Sequence, residues 1–397
     1  MNSDSCPANP LAKADPLVRL TAGAYRYAST RIHPGSGIVR RTQTCTNAPQ
    51  RRDGRMNTLV IVLGQTRSAT ITAERWDKHF RSVVKRDGNT AIALCRCTGY
   101  TEEDPFFERN ADFIWERSEP NLLNEDFDRE ALRLGARSDK DWRAVLDVEG
   151  NWLSELWDAN GKRPGAAARC LLLRHHALSM IRDLQLHRHF ERCIITRSDL
   201  LYTADHPPLS ALSHRRIWVQ RGQDYGGIPD RHNILPMRDV AAMLDVLSPI
   251  LLHARRLRQL MLSVNTPWNV ESYMKLMLIW HGRHHLLRRF PNTMFLVRSE
   301  QAGSGWAEGV YDPTLGFRVK YPEEKQDAER NAAALAACNY DPAFIARQTW
   351  RERCDTVIHS LPPWSLPLSR QLRERKREAI AWVKQWSAES RLKNNGS

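Results

Sequence analysis

Residues 58–63 read Thr-Leu-Val-Ile-Val-Leu and run straight into Gly64. The stretch is too short for a helix, rich in β-branched residues and lacks polar alternation. That combination predicts a strand buried on both faces. Such a strand needs a covering layer above and below, which commits the chain to an α/β sheet flanked by helices. Further strand-sized runs follow in "TAIALCRC" from Thr90, "CIIT" from Cys193, "RRIWVQ" from Arg215 and "TMFLVRS" from Thr293, with a short one in "ADFIWERSEP" from Ala111. Helices are predicted between them: from Thr72 to about Lys85, from about Ala166 to His189, and in succession over Met237–Leu247, Pro249–Leu262 and Val270–His281. In the second, Leu173, Ala177, Met180 and Leu184 recur at i, i+4, i+7 and i+11, one apolar helical face. No apolar run approaches the roughly 18 to 20 residues that span a bilayer.

Composition divides the chain. Residues 1–55 are rich in Arg, Thr, Ser, Pro and Asn without a sustained period, and hold nine Lys/Arg against three Asp. They are predicted to be a disordered basic extension outside the fold. Met56 followed at once by a clean strand marks the expected start of the folded domain, 56–325. Residues 326–397 are predicted to be a helical, basic C-terminal extension. Within it "SRQLRERKREAIAWVKQW", from Ser369, reads as a basic amphipathic helix suited to peripheral contact with an anionic membrane. The formal charge of +14 favours anionic partners, but a large part lies in the first 55 residues. A specific nucleic-acid surface, which needs charge clustered on the folded core, is not expected. The eight cysteines form no CxxC and no metal-ligand spacing, so they read as reduced thiols of a cytoplasmic protein. His281 and His285 lack the intervening Glu of a zinc-binding helix, which argues against zinc there.

Three segments carry candidate chemistry. In "CIITRSDLLY" the strand ends on Arg197 and Asp199, and a carboxylate beside a core strand needs a cation, either a guanidinium or a metal ion. In "VLGQTRSA", Gly64 permits close backbone approach and Arg67 can clamp a phosphate, although the P-loop and dinucleotide-fingerprint spacings are absent. In "RGQDYGGIPDRHNIL", Gly226 and Gly227 precede an Asp-Arg-His run, with Asp224 and Asp230 as candidate bases or hydroxyl binders. Trp268 and Trp306 stand in loops where an indole can stack on a sugar.

The succession "VIVLGQTR", "IITRSDLLY", "IWVQRGQDYGGIPDRHNIL", "NVESYMKLML", "FLVRS" and "GWAEGVYDPTLGFRVKY" resembles a group of GT-A-like glycosyltransferases over about residues 57–325. The "RSD" and "YGGIPDRH" pieces are the specific part. The resemblance implies a Rossmann-like mixed sheet that binds a nucleotide-sugar donor. It implies that Asp199 is the last carboxylate of a divergent DxD motif holding Mn²⁺ or Mg²⁺ on the diphosphate. Arg197 stands where the first Asp would be, which puts the metal in question. Gly64, Arg67 and Arg197 would lie at the donor. Asp224, Gly226, Gly227, Arg231, His232 and Trp306 would lie at the sugar and an unknown glycan or other acceptor, with Asp230 and Glu271 as catalytic candidates. Two competing readings are a nucleic-acid or membrane-surface binder and a catalytically inactive sugar-nucleotide-binding relative.

Overall fold

The computed structural model describes residues 38–40, 56–66, 68–98, 105–119, 122–264, 267–299, 308–349 and 352–353. All of them belong to one compact unit, residues 36–356. Its strands are β1 Ile38–Arg40, β2 Thr58–Leu63, β3 Thr90–Cys97, β4 Phe113–Arg117, β5 Trp157–Asp158, β6 Gly161–Lys162, β7 Arg192–Thr196, β8 Leu200–Tyr202, β9 Ile217–Gln220, β10 Asn233–Pro236, β11 Leu287–Phe290, β12 Met294–Arg298, β13 Val310–Asp312 and β14 Phe317–Val319.

The main sheet is mixed and eight-stranded, in the order β1-β4-β3-β2-β7-β10-β9-β11. β4, β3, β2 and β7 run parallel, and β10 lies antiparallel between β7 and β9. Side chains alternate between two buried faces, which explains the unbroken apolar runs. Leu59, Ile61, Leu63, Cys95, Cys97, Cys193 and Ile195 face one layer, with Phe127, Leu171, Met243 and Tyr273. Val60, Val62, Ile92, Leu94 and Ile194 face the other, with Trp76, Phe80 and Phe107. The predicted α/β class, a mixed sheet flanked by helices, is therefore what the chain adopts.

From β2 the chain builds β3 and β4 outward on one side and then returns to place β7 on the other. The interval between β2 and β7 is thus a topological switch point, where ligands of open α/β sheets bind beyond the strands' carboxyl ends. A second, antiparallel sheet, β13-β14-β12-β8, crosses there. Residues 197–199 are the corner at which the chain leaves β7 in the main sheet and enters β8 in the second.

Several boundaries differ from the sequence reading. Residues 1–55 are not wholly outside the fold, because Ile38–Arg40 pairs antiparallel with β4 at the sheet edge. The expected boundary at 325/326 falls inside the helix Pro322–Ala337, whose Ala328 and Leu335 are fully buried. The segment 221–235, read as a loop, ends in β10. The predicted helix 237–247 is a 3₁₀ turn, Met237–Asp239, and one short helix, Ala241–Leu244. The basic stretch from Ser369 lies outside the described residues. Among the described residues, no helix is long and apolar enough to cross a membrane.

Candidate functional site

Two loops meet at the switch point. Gly64 leaves β2 with φ +103°, a conformation that side chains rarely adopt, and its N–H donates to the Cys95 carbonyl at 2.9 Å. The Ser198 hydroxyl donates to the Gln65 carbonyl at 2.8 Å, and the Thr72 hydroxyl donates to the Ser198 carbonyl at 2.6 Å. The β2 and β7 ends are therefore tied to each other and to the helix Ala69–Trp76. Arg67, in the same loop, lies outside the described residues.

Asp199 is buried at the corner. Arg197 Nε and an Arg197 amino group donate to its two oxygens at 2.9 and 2.8 Å, and Arg298, from the end of β12, donates to Oδ2 at 2.5 Å. Burial alone would raise the Asp199 pKa, but the two guanidiniums outweigh it and hold the carboxyl well below the usual range. Arg298 is fully buried, and its Nε has no hydrogen-bond partner among the described residues. Lys320 follows β14 immediately. Its backbone N–H donates to the Leu296 carbonyl at 2.9 Å, and its ammonium lies 5.1 Å from the centre of the Tyr321 ring. Burial, with Arg298, Arg197 and Arg231 nearby, pushes its pKa down to about 8.

This donor set does not fit a divalent cation. Both Asp199 oxygens already accept from guanidiniums, and Lys320 adds a further cation within electrostatic reach. Among the described residues no group of three His, Cys, Asp or Glu side chains is placed to hold a metal. In the structure the strand-end carboxylate is matched by Arg197 and Arg298, the guanidinium alternative for its partner.

A second group gathers around Asp230. A Cβ on Gly227 would lie 1.9 Å from the Glu271 backbone carbon and oxygen, so only glycine lets this loop press against the chain there. Ile228 N–H donates to the Glu271 carbonyl at 3.0 Å, and the Asn269 amide donates to the Tyr225 carbonyl at 2.7 Å. Asn269 also caps the helix Val270–Trp280 through a capping box with Ser272. The "YGG" sequence thus docks the loop onto a helix start and brings Glu271 toward Asp230. Burial first, and then the Asp230 charge, push the Glu271 pKa up to about 7. From behind, buried Arg174 donates to the Asp230 carbonyl and, at 3.0 Å, to that of Met243.

Arg231, beside Asp230, is buried between aromatic rings, 5.1 Å from the Tyr321 centroid and 5.8 Å from that of Tyr225. It donates to both oxygens of Glu324 at 2.6 and 2.8 Å, and the Tyr225 hydroxyl donates to Glu324 at 2.8 Å.

Of the predicted site residues, Gly64, Arg197, Asp199, Gly227, Asp230, Arg231 and Glu271 come together here, with Gly226 exposed on the adjoining turn. Three do not act as expected. His232 is fully buried, with Nδ1 2.9 Å from the Thr196 hydroxyl, Nε2 3.2 Å from His206 Nε2, and its ring against Phe80 and Phe290. It packs the sheet instead of touching a sugar. Asp224 pairs with Arg289. Trp268 is buried, and its indole N–H donates to the Met261 carbonyl at 3.2 Å. Trp306 lies outside the described residues. The sequence reading missed Arg298, Lys320, Tyr321 and Glu324. The one available signal was that "FLVRS" and "FRVKY" both end a strand-like run on a cation, as "CIITR" does.

No family model and no curated protein matches the chain. Among solved structures, apo mouse xyloside xylosyltransferase 1 aligns at 9% identity with a TM-score of 0.31, covering 59% of this chain and 84% of that one.

Proposed function

We propose that the chain transfers a glycosyl group from a nucleotide-sugar donor to an acceptor hydroxyl. The observation that carries this reading is the pairing of two electrostatic poles at one switch point. Arg197, Arg298 and Lys320 form a cationic end, and Asp230 with Glu271 form a carboxylate end. Glycosyl transfer needs that polarity. The acceptor O–H bond breaks as its oxygen bonds to the anomeric carbon, and the proton passes to a carboxylate. The bond from the anomeric carbon to the phosphate oxygen breaks, and its electron pair leaves on the nucleoside diphosphate. A base near neutrality serves the first event, and fixed positive charge serves the second. The Asp230–Glu271 pair is the base in this scheme. The elevated Glu271 pKa is the kind of perturbation found in catalytic carboxyls and supports, without deciding, the enzymatic reading.

The test is a thermal-shift panel of nucleotide sugars followed by turnover assays with the donor that binds. One donor should raise the melting temperature by mass action. Asp230→Asn should keep donor binding and lose on the order of 10²- to 10⁴-fold in turnover, the scale of a general base. A panel in which no nucleotide sugar binds refutes the reading.

A further inference from the structure

We infer that the leaving diphosphate is neutralised by Arg298 and Lys320, together with Arg197, and not by a divalent cation. The inference rests on the glycosyl-transfer reading and assigns a role to two residues that the resemblance does not include.

The first support is charge counting at the corner. Arg197 and Arg298 hold Asp199, Lys320 lies within electrostatic reach of both, and Asp230 is a second carboxylate acting on Arg197, so three cationic heads face two carboxylates. The Lys320 ammonium has no hydrogen bond or ion pair among the described residues, and its contact is the face of Tyr321. A divalent cation placed here would add to an excess of like charge. A diphosphate would remove that excess, and more so as the departing oxygen gains a full negative charge.

The second support is the unmet hydrogen-bonding capacity. A buried guanidinium nitrogen without an acceptor is costly, and Arg298 Nε is one. Arg197 keeps 30% of its side chain exposed while Asp199 keeps 4%, so the arginine side chain is open to solvent and the carboxylate is not. Asp199 is thus a positioning residue that holds two arginines side by side, so that phosphate oxygens meet Arg197 and Lys320 while buried Arg298 contributes its charge from behind.

The third support is architectural. Arg197 stands at the β7–β8 corner, Arg298 at the end of β12 and Lys320 just after β14. Each cation sits at the end of a strand whose pairing fixes its position: Val297 opposite Val319, Arg298 opposite Arg318, Leu296 opposite Leu200. The second sheet gathers three cations beside the carboxyl ends of β2 and β7. The depressed Lys320 pKa fits an ammonium crowded by cations and awaiting an anion.

The experiment is titration calorimetry of the full chain with inorganic pyrophosphate in EDTA, and again with MnCl₂. Pyrophosphate should bind in EDTA. Near pH 8 its binding should draw a proton from the buffer, because an anion beside Lys320 raises that pKa. Repeating the titration in buffers of different ionisation enthalpy measures this uptake. Lys320→Met should weaken binding by about tenfold or more, as for losing one charge-assisted contact, and should abolish the proton uptake. Arg298→Gln should weaken it further. Lys320 is only partly buried, so its variant keeps the test decisive if Arg298→Gln does not fold. Binding seen only with MnCl₂, no binding at all, or unchanged binding by Lys320→Met each overturns the inference. Nucleotide-sugar binding that requires Mn²⁺ would overturn it while leaving glycosyl transfer intact. Metal-free pyrophosphate binding with no nucleotide-sugar binding would refute glycosyl transfer and leave the cation cluster.

Discussion

Asp199→Asn separates a structural clamp from a metal ligand. The carboxylate accepts three charge-assisted hydrogen bonds, two from Arg197 and one from Arg298, and its own side chain is 4% exposed. Asparagine preserves the shape and can still accept on its carbonyl oxygen, but it carries no charge and turns an N–H₂ toward a guanidinium. Two arginines are then left next to Lys320 without the carboxylate that bridges them. Breaking a buried pair in this way costs about 3 to 5 kcal/mol. The assay is urea denaturation of wild type and variant at matched slope, with the transition midpoint as the readout. Added pyrophosphate should restore a larger part of the lost stability in the variant than it adds to wild type, because it returns negative charge to the same place. A cycle with Arg197→Gln should give a coupling energy of about 0.5 to 3 kcal/mol. An Asp199→Asn chain with wild-type stability and a lost response to Mn²⁺ would refute the clamp and reinstate the metal ligand.

Other perturbations test the surrounding geometry. Gly227→Ala drives a methyl into the Glu271 backbone, so turnover should fall by about a hundredfold or more and the melting temperature should drop; wild-type kinetics would mean the loop does not dock there. Glu324→Ala leaves Arg231 buried and unpaired, with an expected loss of about 3 to 5 kcal/mol in denaturation; an unchanged midpoint would show that Arg231 finds another partner. Turnover should rise with pH through about 7 as Glu271 deprotonates, and Glu271→Gln should flatten that limb. Because the folded state holds that proton above the unfolded carboxyl range, stability should fall as pH rises from about 4.5 to about 7 and level off beyond it. A chain starting at Met56 should fold with a small loss of stability, since among the described residues it loses Ile38–Arg40 at the sheet edge; failure to fold would place the earlier residues in the core.

The parts legible in the sequence were those governed by local burial. β2, β3 and β7 are covered on both faces and announce themselves as unbroken apolar runs. β10 did not, because Asn233–Pro236 is four residues long, opens on a polar side chain and closes on a proline. The hairpin β13–β14 was missed because it is short and partly exposed. Asp199 was seen to need a cation, and Arg197, two residues away, was an evident candidate. Arg298 was not, because its contact spans 99 residues and exists only once β8 pairs with β12. Glu324 was hidden for another reason. With Glu323 it looks like the usual acidic first turn of a helix, and nothing local reports that Arg231 occupies it.

The Arg231–Glu324 pair also sets a clock on synthesis. The two residues lie 93 positions apart, and the carboxylate is the later one. At about 5 to 20 residues per second, Arg231 waits roughly 5 to 20 s on the ribosome before its counter-ion exists. During that interval the loop carrying Asp230 has its tyrosine but not its anchor, and the nascent sheet holds a guanidinium it cannot bury. The carboxylate end of the site is therefore among the last places the growing chain can close, and it closes only when the helix that begins at Pro322 comes back across it.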